Sequence, residues 1–168
     1  MLQSHPLFSG IPEEWLEMLL KSSKKITLKK NTQVFSQGDR SEHLYVLIEG
    51  QVKLYRSRKG SAKEEIVCVI NPDGYFCLAP LLSREFLHIN AKTLLDSELL
   101  SIPREMILKL IDLSHEFSKK IISSLAQKEC SLCEEVCDLS LSTTKERLAK
   151  YLFDLSQNSR KPFSLPLH

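Results

Sequence analysis

The sequence predicts a mostly β domain with flanking helices, built as a sandwich or barrel. Three observations carry this. Between Lys25 and Pro103, short runs rich in β-branched and aromatic residues are separated by turn signals at regular spacing. Before and after that stretch, apolar residues recur at helical spacing. The chain has 168 residues, 42% of them hydrophobic, which is enough for one well-cored domain plus some extra elements.

The first element is a helix in GIPEEWLEMLLKSS. Pro12 stands at its start, with acids in the first turn and lysines after it, and Trp15, Leu16, Leu19 and Leu20 form its apolar face. The β runs follow: KKITLKK, TQVFSQ, HLYVLIEG, QVKLYRSR, EEIVCVI and AKTLLDSELLSI. Turns are expected at Gln37-Gly38-Asp39, Glu49-Gly50-Gln51, Lys59-Gly60-Ser61 and Pro72-Asp73-Gly74. The stretch PDGYFCLAPLLSREFLHIN begins like a turn and continues like a short buried helix. Lys24, Lys25, Lys29 and Lys30 read as a solvated strand edge that discourages aggregation. Pro103 suits the first turn of a helix, a longer helix follows from about His115 to Leu139, and Ser142 and Thr143 are candidate N-caps for KERLAKYLFDLSQ. The last residues, SRKPFSLPLH, are loop-like.

The long helix carries a seam. Ile122, Glu129, Val136 and Thr143 share one heptad position; Ser118, Leu125, Leu132 and Leu139 share the other. The stripe fits either packing on its own domain or a two-stranded dimer. A net charge of +2 is too small to argue for nucleic-acid binding by this segment alone. No apolar run approaches a membrane span, and no basic and then apolar leader opens the chain. Five cysteines without framework spacing fit reduced thiols in a cytoplasmic protein.

Residues 34 to 50, VFSQGDRSEHLYVLIEG, resemble the first signature of the cyclic-nucleotide-binding-domain superfamily, as found in Crp/Fnr transcription regulators. Ser41 stands where that family usually has Gly, Ala or Cys. HPLFSGIPEEWLEMLL, SELLSIPREMILKLI and SLSTTKERLAKYLFDLS resemble its opening, its last strand running into a helix, and the segment after its dimerisation helix. The resemblance implies an antiparallel jelly-roll (double-stranded β-helix) β-roll followed by a long dimerisation helix. The implied division is residues 1–112 for the N-terminal helix and sensing roll, 113–140 for dimerisation, and 141–168 for a further helix and a hinge. A helix-turn-helix reader would then begin where this chain stops, at His168. The implied protein is not an enzyme. It is an effector-sensing homodimer that binds DNA through that further domain and meets RNA polymerase in the full-length protein. Its seam would use Ile122, Leu125, Leu132, Val136 and Leu139.

In cyclic-nucleotide binders of this family, a Gly-Glu pair and a later Arg-Ser/Thr pair hold the ribose and the cyclic phosphate. On that frame Cys77 and Leu78 replace Gly-Glu, while Leu87 and His88 replace Arg-Ser/Thr. An anion buried without its guanidinium costs several kcal/mol by order of magnitude. Arg84 stands three residues from Leu87 as a possible substitute, but the ribose acceptor is also missing. Cyclic AMP is therefore disfavoured. The expected effector pocket is apolar, with Phe76, Leu78, Leu81, Leu82, Leu87, Ile89 and Ala91, and with Cys77 and His88 as polar handles. By alignment of the long helix with the family, Leu132 and Cys133 would touch the effector. The Phe76-Cys77 pair resembles that of haem-bearing gas sensors in the family, although Ala79 stands where they have a histidine. Haem sensing nitric oxide or carbon monoxide, with His88 or Cys77 as axial ligand, is the concrete effector expectation. The alternative is a strand histidine facing solvent and a small core cysteine.

Cys130, Cys133 and Cys137 cluster on one side of the long helix. An iron–sulfur cluster is disfavoured, because Cys130 and Cys137 are separated by about 10 Å of helical rise, whereas a metal–sulfur bond spans about 2.3 Å. Small residues buried between helix and roll are expected instead. A cupin-type metal enzyme would need a grouped histidine set; His43 and His88 stand alone, and His5, His115 and His168 lie outside the β runs. A stand-alone small-ligand or interaction module on a β-roll is the competing reading.

Overall fold

A computed structural model describes residues 2–57, 63–83 and 85–158. The Lys59-Gly60-Ser61 turn, Arg84 and the final SRKPFSLPLH lie outside the described residues. A short 3-10 turn, Leu2–Ser4, precedes helix α1, Glu13–Ser22, with Pro12 at its N-cap. Eight strands follow: β1 Lys24–Leu28, β2 Gln33–Phe35, β3 His43–Glu49, β4 Val52–Ser57, β5 Glu64–Ile70, β6 Tyr75–Phe76, β7 Asn90–Thr93 and β8 Ser97–Pro103. Helix α2, Leu78–Ser83, lies between β6 and β7. Helices α3, Arg104–Leu113, α4, His115–Leu141, and α5, Thr144–Asn158, follow.

The strands form two antiparallel four-stranded sheets, ordered β1-β8-β3-β6 and β2-β7-β4-β5. This is the expected β-roll. Between the sheets, Phe35, Leu47, Val52, Leu54, Phe76, Leu87, Ala91 and Leu99 form one apolar core. Strand β3 is buried on both faces: Leu47 points into that core, while its neighbours Val46 and Leu44 are also buried. The reason is that α3 packs against β3 and α1 and α3 pack against β8, covering the outer side of the first sheet. Strand β1 is an edge strand with Lys24, Lys25, Lys29 and Lys30 around it exposed, as the charge pattern predicts.

Two sequence expectations need correcting, and one strand went unread. The run AKTLLDSELLSI is two strands, β7 and β8, broken by a bend at residues 94–96. There Lys29 and the Lys30 amide both bind the Asp96 carboxylate at 2.8 Å, and Leu94 N–H donates to Gln51. Strand β6 has only two residues, too short to leave a period of its own. Leu20, expected in the apolar face of α1, is 48% exposed, whereas Leu16 and Leu19 are buried.

The chain forms two compact units, Met1–Ile122 and Ser123–His168. Helix α4 is one unbroken element across that boundary. In α4 the buried residues are Phe117 and Ile121. Phe117 stacks on Phe8 at 5.8 Å, and the Lys120 ammonium donates to Ser9. In the second unit Thr143 and Glu146 form a reciprocal cap. The Thr143 N–H donates to the Glu146 carboxylate at 2.7 Å, and the Glu146 N–H donates to Thr143 Oγ1 at 3.4 Å. The Thr143 N–H and the Thr143 hydroxyl, both donating to it, hold the Glu146 carboxyl below its ordinary value.

Candidate effector site

The segment from Pro72 to Asn90 crosses from one sheet to the other. Asp73 takes φ +64° in the turn, and its N–H donates to Leu47 O while Leu47 N–H donates to Gly74 O. This delivers Tyr75 and Phe76 to pair with Val46 and Tyr45. The Phe76 ring stacks on Tyr45 at 5.3 Å, and Phe35 lies 5.7 Å from Tyr45 and 6.0 Å from Phe76. Burial pushes the Tyr45 phenol above its ordinary value.

Cys77 then adopts φ +72°, a left-handed backbone that glycine takes without cost. This is the position where the family resemblance puts a glycine. Burial pushes the Cys77 thiol up to about 12, so it stays protonated at neutral pH. Two replacements are expected to separate backbone from side chain. Cys77→Val, a β-branched residue in a left-handed conformation, should cost about 2 kcal/mol or more. Cys77→Gly should fall within about 1 kcal/mol of the parent, relief of the backbone offsetting the lost packing. Urea unfolding of the two variants checks this ordering.

Helix α2 follows and packs on α3 and β3. The Arg104 Nε donates to Leu81 O at 2.7 Å, and its backbone N–H donates to Glu42 O. A cation thus holds a carbonyl near the C-terminal end of the short helix. The chain re-enters the roll beside the Gly38 turn, where Gly38 N–H donates to Leu87 O and Leu87 N–H donates to Asp39 O. Gly38 itself takes φ +96°.

Of the expected pocket residues, Phe76, Leu87 and Ala91 join the roll's core, and Cys77 and Ile89 pack against it. Leu78, Leu81 and Leu82 stand on α2 and are not part of that cluster; Leu78 and Leu81 are buried and Leu82 is half-buried. His88 is corrected: its side chain is 64% exposed, and its Nε2 lies 3.2 Å from Glu85. Leu87 is buried and His88 exposed at the bend that precedes β7. His88 and Cys77 therefore do not converge on one point inside the roll. Leu132 and Cys133 lie in the second unit and are exposed there, as are Cys130 and Cys137. In the helix itself, Ile122, Leu132, Val136 and Leu139 are 66%, 48%, 61% and 68% exposed. Among the described residues no group of three or more His, Cys, Asp or Glu side chains could hold a metal ion.

Sequence reasoning missed Phe35 and Tyr45, which reach the site through strand pairing rather than proximity in the chain. It also missed a cleft of about 400 Å³ lined by Arg40, Ser41, Glu42, Glu85, Phe86 and Arg104. The signal that could have found it is the pairing of Arg40 with Phe86, again a long-range one.

Residues 25–114 match the family described as the cyclic nucleotide-binding domain. A relative named cyclic AMP receptor protein, from Thermus thermophilus, is 26% identical over 96% of this chain and 74% of its own length. A relative from Mycobacterium tuberculosis, named a CRP-like cAMP-activated global transcriptional regulator, is 23% identical over 90% of this chain and 67% of its own. Among solved structures, the Thermus thermophilus catabolite activator protein superposes with a TM-score of 0.71 at 27% identity, over 94% of this chain and 73% of that one. The sensor domain of the transcriptional regulator DNR from Pseudomonas aeruginosa does so with a TM-score of 0.69 at 27% identity, over 85% of this chain and 92% of that one. The chain belongs to the cyclic nucleotide-binding domain family. Within it, the chain is similar to the sensor portion of Crp/Fnr-type transcription regulators. Among the described residues no helix is long and apolar enough to cross a membrane.

Proposed function

We propose that this chain is the effector-sensing and dimerisation part of a Crp/Fnr-type transcription regulator. The observation that carries the reading is the row Ile122, Leu132, Val136 and Leu139, large apolar side chains left exposed along a helix that leaves a β-roll of this family. An exposed apolar row at heptad spacing is what a second copy of the same helix would cover. Residues 1–112 would sense, 113–140 would dimerise, and 141–168 would lead to a DNA reader. An effector that favours one packing of α4 against the roll would shift the population of dimer geometries and, through them, the DNA-binding state.

The effector is not a cyclic nucleotide on this reading, although two relatives are named for cyclic AMP. Leu87 is 4% exposed among Phe35, Phe76 and Leu99, where a phosphate would need a cation. An uncharged, largely apolar effector suits the core's composition. Haem held by His88 or Cys77 finds no support in this arrangement: the His88 side chain is paired with Glu85 at the surface, and Cys77 packs against the roll's apolar core. Calorimetric titration with cyclic AMP and cyclic GMP tests the reading. No saturable heat is expected up to millimolar nucleotide; a micromolar dissociation constant for either would overturn it.

A further inference from the structure

A cavity of about 410 Å³ lies between the N-terminal segment and the outer face of the first sheet. Its volume falls within the rough 300–1,000 Å³ range of small-molecule sites. Leu2, Leu20, Val46, Ile48 and Leu100 give it apolar walls. Val46 and Leu100 alternate along their strands with Leu47 and Leu99, which point into the roll's core. The cavity is therefore on the opposite side of the sheet from the candidate effector site. Leu20 is the half-exposed leucine of α1, an apolar side chain that opens onto this space.

One polar group in it is unusual. His5 is 3% exposed, and its Nε2 makes no well-aligned hydrogen bond among the described residues, although the Asp73 backbone lies near enough to act on the ring. Its Nδ1 accepts the Leu7 N–H at 3.2 Å. Burial lowers the His5 pKa, with Asp73 opposing, so the ring is neutral at pH 7. A neutral ring that accepts at Nδ1 carries its proton on Nε2. That atom is thus a donor, not a lone pair, and it cannot ligate a metal without giving up the Leu7 contact. A buried donor without a well-aligned acceptor is costly, and a ligand acceptor in better geometry than the Asp73 backbone relieves that cost. Lys25 does not call for an anion, because Glu98 already holds its ammonium at 2.7 Å, and Asp73 on the lining disfavours one.

We propose that this cavity is a second small-molecule site, taking an uncharged, largely apolar compound that presents one hydrogen-bond acceptor, such as a ketone oxygen, to His5 Nε2–H. Such a ligand would also meet Asp73, whose turn is bonded to Leu47 and leads through β6 to Cys77. The site does not depend on what binds inside the roll.

The test titrates the full chain with prodan, an uncharged naphthyl ketone whose emission moves blue in apolar surroundings and red when its carbonyl accepts a hydrogen bond. Saturable binding of one probe per chain is expected. Leu20→Trp, at an exposed position that leaves the core intact, should weaken binding by about tenfold or more by filling the mouth. His5→Phe should weaken it about tenfold, the worth of one hydrogen bond, and should shift the bound emission further to the blue. If His5→Phe does not fold, Leu20→Trp alone decides. Absence of saturable binding, or binding unchanged by Leu20→Trp, overturns the site; full-strength binding with unshifted emission in a folded His5→Phe overturns the role of His5.

Discussion

Replacing Leu132 and Val136 together by aspartate is expected to leave the protein folded and monomeric at concentrations where the parent is a dimer. Both side chains are exposed in the single chain, so the substitutions remove little from its own core. In a two-fold coiled seam each change is made twice. Covering a leucine or valine is worth about 1.5–3 kcal/mol when complete, and an aspartate in the seam adds a desolvated charge. Even at half that burial, the dissociation constant should rise by at least about a hundredfold. Light scattering behind size exclusion reads the mass, and circular dichroism checks that the helices persist. A variant that stays dimeric would move the interface elsewhere. The exposed Leu148, Tyr151 and Phe153 of α5 would then be the next surface to vary.

Gly50→Ala is expected to be the most damaging single-methyl change in the roll. Gly50 takes φ +91°, and a Cβ there would fall 2.3 Å from Asp96 O and 2.3 Å from Ser97 Oγ. The Asp96 carbonyl belongs to the bend between β7 and β8, which the lysine contacts of Asp96 hold in place, so it has little room to retreat. Left-handed strain and overpacking together should cost about 3 kcal/mol. Gly38→Ala makes the control. Gly38 has a similar φ of +96°, but a Cβ there meets nothing within 4 Å, so strain alone should cost about 1 kcal/mol. Equal losses in chemical unfolding would mean that the close approach at Gly50 is not what requires glycine.

The contrast between these two glycines shows what a sequence can and cannot carry. Both stand in evident turn signals, and both turn out to have positive φ. Only folding brings Asp96 against one of them. The longer strands were legible for the same local reason, since alternation and β-branching act within one segment. The bend inside AKTLLDSELLSI was not, because its cause is the reach of Lys29 and Lys30 to Asp96 from β1's end of the sheet. Helix starts at Pro12, Pro103 and Thr143 were legible because capping is local.

The candidate site was legible as a segment but not as a surface. Leucine at positions 78 and 87 argued from the sequence that charge is missing, and the buried, apolar setting of Leu87 agrees. Which side chains converge was not legible. Phe35 and Tyr45 arrive through pairing with distant strands, and His88 lies exposed in the bend before β7. His5 stood outside the β runs and drew no attention. It is buried with its ring against Phe8 at 5.3 Å and against Tyr75, distant in the sequence, at 6.1 Å.

The most direct test of the account is native mass spectrometry of the chain in the presence of excess cyclic AMP. The account predicts a dimer that carries no cyclic AMP. A monomer, or a dimer that takes up one cyclic AMP per chain, would contradict it.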